Sequence, residues 1–161
     1  MRKKLNIWLI RFFTICILTI VCVVGIWLYD HFGFVKVPSP SMNPTIPANS
    51  IVFVWKNDDL NLIRGDIVVF LKDNVSYVKR IVGMPNETLQ ILNGITYING
   101  NPIHEHYLNQ SMLPDSRGPF TIPEESYFVM GDNRQYSEDS RFWEQPYISR
   151  IQIIGKVLYV F

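Results

Sequence analysis

Past residue 22 the chain has no cysteine; Cys16 and Cys22 are the only two, and both lie in an apolar N-terminal stretch. Neither a disulfide framework nor a cysteine zinc site can be built in the remainder, and the two thiols read as apolar filler. An excess of charge of one sign is also missing. The formal net charge is +1 and no face reads as a basic stripe, so nucleic acid is not an expected partner. Histidine is scarce: His31, His104 and His106 are all there is, none with an orienting partner nearby in sequence, so no Ser-His-Asp arrangement is evident. Beyond residue 32 no segment has convincing helical periodicity, and there is no internal repeat or low-complexity run. Aromatics are not lacking. At 14% they argue for a packed core over a disordered chain.

One long run carries no charge at all: Phe12 to Tyr29, "FFTICILTIVCVVGIWLY". As a helix it covers roughly 27 Å, close to the hydrocarbon thickness of a bilayer. Arg2, Lys3, Lys4 and Arg11 precede it; Asp30 and His31 follow. A positive flank first predicts a cytoplasmic N-terminus (1–11), a transmembrane anchor (12–29) and an extracytoplasmic domain (30–161) at the cell membrane. Arg11 is placed to snorkel to the inner headgroups, with Trp27 and Tyr29 at the outer interface. A cleavable signal peptide is the competing reading, but it requires a shorter apolar region ending in small residues, and this run ends "GIWLYDHFGF". A buried core helix conflicts with a segment apolar all round.

Downstream come short runs rich in β-branched and aromatic residues: Ser50–Lys56, Asp66–Lys72, Val75–Gly83, Ser126–Asn133 and Ile151–Phe161. Asp73-Asn74 reads as a tight turn, and Glu87–Ile103 holds two strong hairpin signals, Asn93-Gly94 and Asn99-Gly100. The expectation is an anchored, mostly-β domain, a sandwich or closed barrel. His104–Gly118 is more polar and reads as a surface excursion. Its alternating His104 and His106 share a strand face with Glu105 between them, but no further clustered ligand follows, and they read as exposed histidines. Asn86-Glu87-Thr88 and Asn109-Gln110-Ser111 match the glycosylation acceptor pattern, which matters only in a eukaryotic secretory pathway.

Three places are chemically unusual. "VPSPSMNPTI", Val37–Ile46, packs three prolines and two serines into ten residues. Prolines restrict their own φ and the residue before them, so Ser41 has little backbone freedom. That suits a nucleophile, for which an ångström of misplacement costs about 100-fold; it also suits a plain stiff linker, and the stretch alone does not decide. In "VSYVKRIVG", period-2 alternation places Tyr77, Lys79 and Ile81 on one face and Val78, Arg80 and Val82 on the other. Each face carries one cation among apolar neighbours. Lys79 is either an edge-strand lysine that blocks aggregation or a desolvated amine with a lowered pKa, able to take a proton from a serine. The third place is "GDNRQYSEDSR", Gly131–Arg141, more charged than a turn requires, in which Asp139 and Arg141 can pair and fix the loop's shape.

Taken in order, these stretches resemble the bacterial type I signal peptidases. The match reads Pro-Ser-x-Ser-Met-x-Pro-Thr at Pro38–Thr45, Arg-Gly-Asp-Ile-Val-Val-Phe at Arg64–Phe70, Tyr-Val-Lys-Arg-Ile-Val-Gly-x-Pro at Tyr77–Pro85 and Gly-Asp-Asn-Arg-x-x-Ser-x-Asp-Ser-Arg at Gly131–Arg141. The single span and short middle region resemble the smaller Gram-positive-type members. The resemblance implies coiled, barrel-like antiparallel sheets and a membrane-anchored serine endopeptidase with a Ser/Lys dyad, needing no metal or cofactor. It implies Ser41 as nucleophile, Lys79 as general base, and an oxyanion hole from the Ser39 hydroxyl and the Ser41 N–H. Ser137 matches the serine that orients the lysine amine. Asp139 and Arg141 match a structural ion pair, with Asp132 and Arg80 as supporting positions. Val37, Met42, Ile46, Tyr77 and Val78 match the lining of small substrate pockets. Implied partners are the signal peptides of secreted preproteins, the lipid bilayer and the protein-export machinery. One position departs: Pro40, commonly Gly or another small or polar residue in the family. It leaves the Ser41 N–H in place. Two other readings compete with it. A non-catalytic or dedicated assembly factor for surface polymers, pilus-type, usually lacks the serine or the lysine. A Ser/Lys self-cleaving regulator of related fold carries a DNA-binding domain where this chain has its apolar segment.

Overall fold

The computed structural model describes residues 2–57, 60–108 and 114–161. Helix α1 (Arg2–His31) takes up the apolar run and the charged flank before it. It outruns the expected span at both ends, because Arg11 and Asp30 mark where charge begins, not where backbone hydrogen bonding stops. Asn6–His31 is long and apolar enough to cross a bilayer, and its most apolar part is not buried in the rest of the protein.

Among the described residues eleven strands follow: β1 (Phe32–Val37), β2 (Ser50–Trp55), β3 (Ile67–Lys72), β4 (Val75–Gly83), β5 (Thr88–Leu92), β6 (Ile95–Ile98), β7 (Asn101–Pro102), β8 (Arg117–Thr121), β9 (Ser126–Met130), β10 (Ile148–Ser149) and β11 (Ile153–Val160). They form a seven-stranded sheet ordered β1-β2-β11-β3-β4-β9-β10 and a four-stranded sheet ordered β7-β6-β5-β8. Every pairing is antiparallel. The mostly-β expectation therefore holds, and β4 has the limits read from sequence. The three expected turns have both central residues at positive φ: Asp73 and Asn74 (50° and 61°), Asn93 and Gly94 (49° and 80°), Asn99 and Gly100 (50° and 80°). That is the backbone of type I′ hairpins.

β1, β8 and β10 were not among the expected strands. "FGFVKV" begins at the residue after the helix and merged with the apolar run, so the proline-rich stretch follows a strand and not the anchor itself. β8 contains Gly118-Pro119, tolerated because β8 is an edge strand. β10 is two residues long. Asn86 sits in the turn before β5 with φ 65°; Asn109-Gln110-Ser111 lies outside the described residues.

β3 is buried on both faces. Val68 and Phe70 pack into one cluster with Ile81 and Val129, while Val69 enters another with Val37, Met42, Ile46 and Val78. A third cluster, including Val82, Leu89, Ile122 and Phe128, joins the two sheets. β4 touches all three, which is why its cations Lys79 and Arg80 are both buried. Along β4, pairing with β3 runs from Val75 to Arg80, but pairing with β9 begins only at Arg80. The stretch Val75–Lys79 thus has one edge that pairs with no other strand among the described residues.

Candidate active site

The run after β1 folds as compact turns. The Asn49 N–H donates to the Val37 carbonyl (2.7 Å), Asn43 to Pro40 (3.0 Å) and Ile46 to Met42 (2.8 Å). Met42 and Ile46 are fully buried, so they pin the turn into the core from below. Ser41 lies between the exposed Pro40 and buried Met42, itself 4% exposed. A plain stiff linker does not fit this placement.

Ser41 Oγ and Lys79 Nζ are 2.7 Å apart. Burial pushes the Lys79 amine down from 10.5 to about 8; the Asp139 carboxylate opposes that shift, and the Arg141 guanidinium adds to it. A lysine at this value is neutral often enough near neutral pH to accept a hydroxyl proton. Ser39 Oγ lies 3.1 Å from Ser41 Oγ. Among the described residues the Ser41 N–H donates to no other protein group, leaving it available to a developing oxyanion.

The loop from Gly131 to Arg141 closes the site from the other side. Asp139 is its hub, accepting from the Gly131 N–H (2.9 Å), from the Ser137 hydroxyl (2.7 Å) and, in two-pronged fashion, from the Arg141 guanidinium (2.8 and 2.9 Å). Asp139 and Arg141 are paired, two residues apart as the charge pattern allows, and the pair is buried. Asn133 ties the loop to the nucleophile's turn: its N–H donates to the Ser41 carbonyl (3.0 Å) and its side-chain amide to the Pro40 carbonyl (3.1 Å). Gly131 is glycine because it lies flat against that turn; a side chain there would overlap the Ser41 carbonyl and Ser137. Arg80, beside Lys79, makes a two-pronged bond to Asp132, which also accepts from the Thr45 hydroxyl.

Two expectations are corrected. Ser137 does not bond the lysine: its hydroxyl donates to Asp139, the carboxylate that most strongly opposes the lowering of the Lys79 pKa. Met42 and Ile46 have no exposed surface and cannot themselves line an open pocket. Val37 and Val78, barely exposed, and Tyr77, half-buried against Phe70 and Trp143, are the members of that set near the surface. Sequence reasoning missed Asn133, although it lay within the quoted loop, and Glu105, whose carboxylate takes both prongs of Arg134. His104 and His106 are exposed, their rings 6.5 Å apart.

The family model described as signal peptidase, peptidase S26, matches residues 8–161. The chain belongs to that family. Among peptidase S26 relatives, a signal peptidase I from Leptolyngbya laminosa is 40% identical over 76% of this chain and 64% of its own length. Signal peptidase I S of Bacillus subtilis (strain 168) is 41% identical over 76% of this chain and 74% of its own length. This chain therefore spans about two thirds to three quarters of these S26 relatives. The crystal structure of a signal peptidase I from Enterococcus faecalis V583 superposes with a TM-score of 0.53 at 29% identity, covering 62% of this chain and 98% of that one. The mostly-β architecture read from sequence is thus the S26 architecture.

Proposed function

We propose that this chain is a membrane-anchored serine endopeptidase that removes signal peptides from exported preproteins, with Ser41 as nucleophile and Lys79 as general base. The observation that carries the reading is a buried lysine amine, lowered to about 8, at 2.7 Å from a serine hydroxyl that the fold holds still. Substrate lies extended along the uncovered edge of β4, Val75–Lys79, and adds main-chain hydrogen bonds there. Val37, Tyr77 and Val78 flank that edge and are the residues proposed to meet the small side chains of a small-x-small cleavage motif. Neutral Lys79 takes the Ser41 proton, and Ser41 Oγ attacks the scissile carbonyl. The oxyanion meets the Ser41 N–H and the Ser39 hydroxyl. Lys79 returns the proton to the leaving amine as the acyl-enzyme forms, then activates the water that releases it. Pro40 gives up an N–H that this hole does not use.

Helix α1 anchors the catalytic domain, with residues 1–11 on the cytoplasmic side, since Arg2, Lys3, Lys4 and Arg11 all precede the apolar run. Exposed Phe34, Tyr159 and Phe161 continue the helix's apolar surface onto the domain and rest on the bilayer. Enzyme and preprotein then meet in one membrane plane near the export machinery, which raises their effective concentration. A non-catalytic assembly role is not favoured, because serine and lysine are both present and in contact. Cleavage of a preprotein in detergent by wild type, Ser41→Ala and Lys79→Ala tests the reading. Both variants fold and both lose processing; full activity in either removes the dyad.

A further inference from the structure

Glu105 lies between β7 and β8, in the polar segment expected to be a surface excursion, yet its side chain is only 7% exposed. Three groups bond to it, and a fourth backs one of them. The Arg134 guanidinium, 2% exposed and 29 residues away in sequence, binds both carboxylate oxygens. The hydroxyl of Thr96, on β6, donates to one oxygen (2.9 Å) and the Tyr107 hydroxyl to the other. The fourth is Arg80, whose guanidinium lies over the Tyr107 ring at 4.0 Å. Burial alone would push the Glu105 carboxyl up; the Arg134 hydrogen bonds and charge outweigh it and hold it below its usual range.

The two arginines gathered here belong to the two arms of the site. Arg80 neighbours Lys79 on β4 and grips Asp132. Arg134 belongs to the loop: its Nε donates to the Gly131 carbonyl (3.1 Å), and its own carbonyl accepts from Arg141 (2.8 Å). Gly131 and Asn133, both just before Arg134 in the loop, are the residues that press on and bond to the Ser41 turn. Glu105 and Tyr107 therefore sit where the small sheet, the lysine strand and the serine-contacting loop converge, without touching Ser41 or Lys79.

We propose that Glu105, together with Tyr107, is a positioning residue that fixes Arg134 and Arg80 so that the loop holds Ser41 at hydrogen-bond distance from Lys79. The proposal rests on the peptidase reading above for its kinetic consequence and on the geometry alone for its structural one. Removing the Glu105 charge takes from Arg134 its carboxylate, and the loop backbone that Arg134 braces moves with it. None of these contacts involves the uncovered edge of β4, so substrate binding is not expected to change.

The test uses the full chain in detergent micelles: wild type, Glu105→Gln, and Tyr107→Phe, which keeps the ring on Arg80 and deletes one bond to Glu105. Preprotein cleavage gives kcat and KM separately, below the melting transition of each variant. Amide hydrogen exchange follows Gly131 and Asn133. In Glu105→Gln we expect kcat to fall about 10- to 100-fold with KM within about twofold of wild type. Exchange at Gly131 and Asn133 rises, with β3 and β9 protected as before. Tyr107→Phe shows a smaller loss of kcat in the same direction. Unchanged kcat and exchange in a folded Glu105→Gln overturns the proposal. So does loss of protection across the whole domain with KM and kcat changing together, which makes Glu105 structural only. If Glu105→Gln does not fold, wild-type kcat and exchange in Tyr107→Phe overturn it equally. If the wild type cleaves no preprotein, the peptidase reading fails, while the exchange measurement, which needs no substrate, still decides whether Glu105 holds the loop.

Discussion

Titrating kcat/KM for preprotein cleavage between about pH 5.5 and 10 reads the protonation state of the free enzyme's base. With Lys79 at about 8, roughly one amine in eleven is neutral at pH 7. At the ordinary value of 10.5 the neutral fraction there would be smaller by about 300-fold. On the proposed mechanism, burial of Lys79 thus contributes more than two orders of magnitude of competent enzyme at neutral pH. The expected profile rises tenfold per pH unit on the acid side, bends near pH 8 and levels off above it. At pH 6 the rate stands about 100-fold below the plateau. A flat profile from pH 6 upward, or an acid limb in the carboxylate range near pH 4 to 5, refutes Lys79 as the base.

Two substitutions move the limb in a direction fixed by the geometry. Asp139 is the largest of the influences that hold the Lys79 pKa up, and Glu138, exposed in the same loop, is a smaller one. Glu138→Gln moves the bend toward acid by a fraction of a pH unit, because solvent screens an exposed charge. Asp139→Asn moves it further the same way, since Arg141 remains and also disfavours the ammonium. An alkaline displacement in either variant contradicts the charge arrangement described here.

Further outcomes follow from the same contacts. Lys79→Met stabilises the domain at pH 7: lowering the amine from 10.5 to about 8 costs the folded state about 3 kcal/mol. Because the unfolded lysine binds its proton more tightly, that cost is full below pH 8 and fades as pH rises to 10.5; denaturant titrations of both proteins at pH 7 and 10 check it. Gly131→Ala forces a methyl into the Ser41 carbonyl and Ser137, lowering stability by about 1–3 kcal/mol and kcat with it, read by thermal melts and turnover. Asp132→Asn leaves buried Arg80 without its carboxylate and costs about 3–5 kcal/mol, seen as a lower denaturation midpoint.

The sequence made β4 legible because period-2 alternation and the flanking turn residues both bear on it: Tyr77, Lys79 and Ile81 face one way, and Asp73-Asn74 closes the hairpin. The Asp139–Arg141 pair was legible because its partners are two residues apart. What resisted reading depends on chain that returns from far away. Nothing local says that the Ser137 hydroxyl hydrogen-bonds to Asp139 and not to Lys79, or that Met42 and Ile46 point down into the core. Arg134 and Glu105 are separated by 29 residues and by β8 and β9, which belong to different sheets, and only the packing of one sheet on the other brings them together. Short strands escaped for a different reason. β10 has two residues and β8 holds a Gly-Pro step, so neither carries enough pattern to be seen against a turn.

The arrangement of charge around Ser41 has a common logic. A lysine serves as base only if it is desolvated, and desolvation destabilises the fold around it. The neighbouring cations, Arg80, Arg134 and Arg141, are each given a carboxylate of their own, Asp132, Glu105 and Asp139. Lys79 alone in this layer has no carboxylate in hydrogen-bond contact, and its one hydrogen-bond partner among the described residues is the serine hydroxyl. Pairing three arginines lets the loop and β4 pack tightly without adding a net positive field that would be costly to bury. Leaving the lysine unpaired keeps its pKa near 8; a direct carboxylate contact would raise it and leave the base protonated. The ion pairs around the site therefore do two things at once: they fix the shape of the turn that carries Ser41, and they confine the cost of an unpaired buried amine to Lys79, the residue proposed as the base.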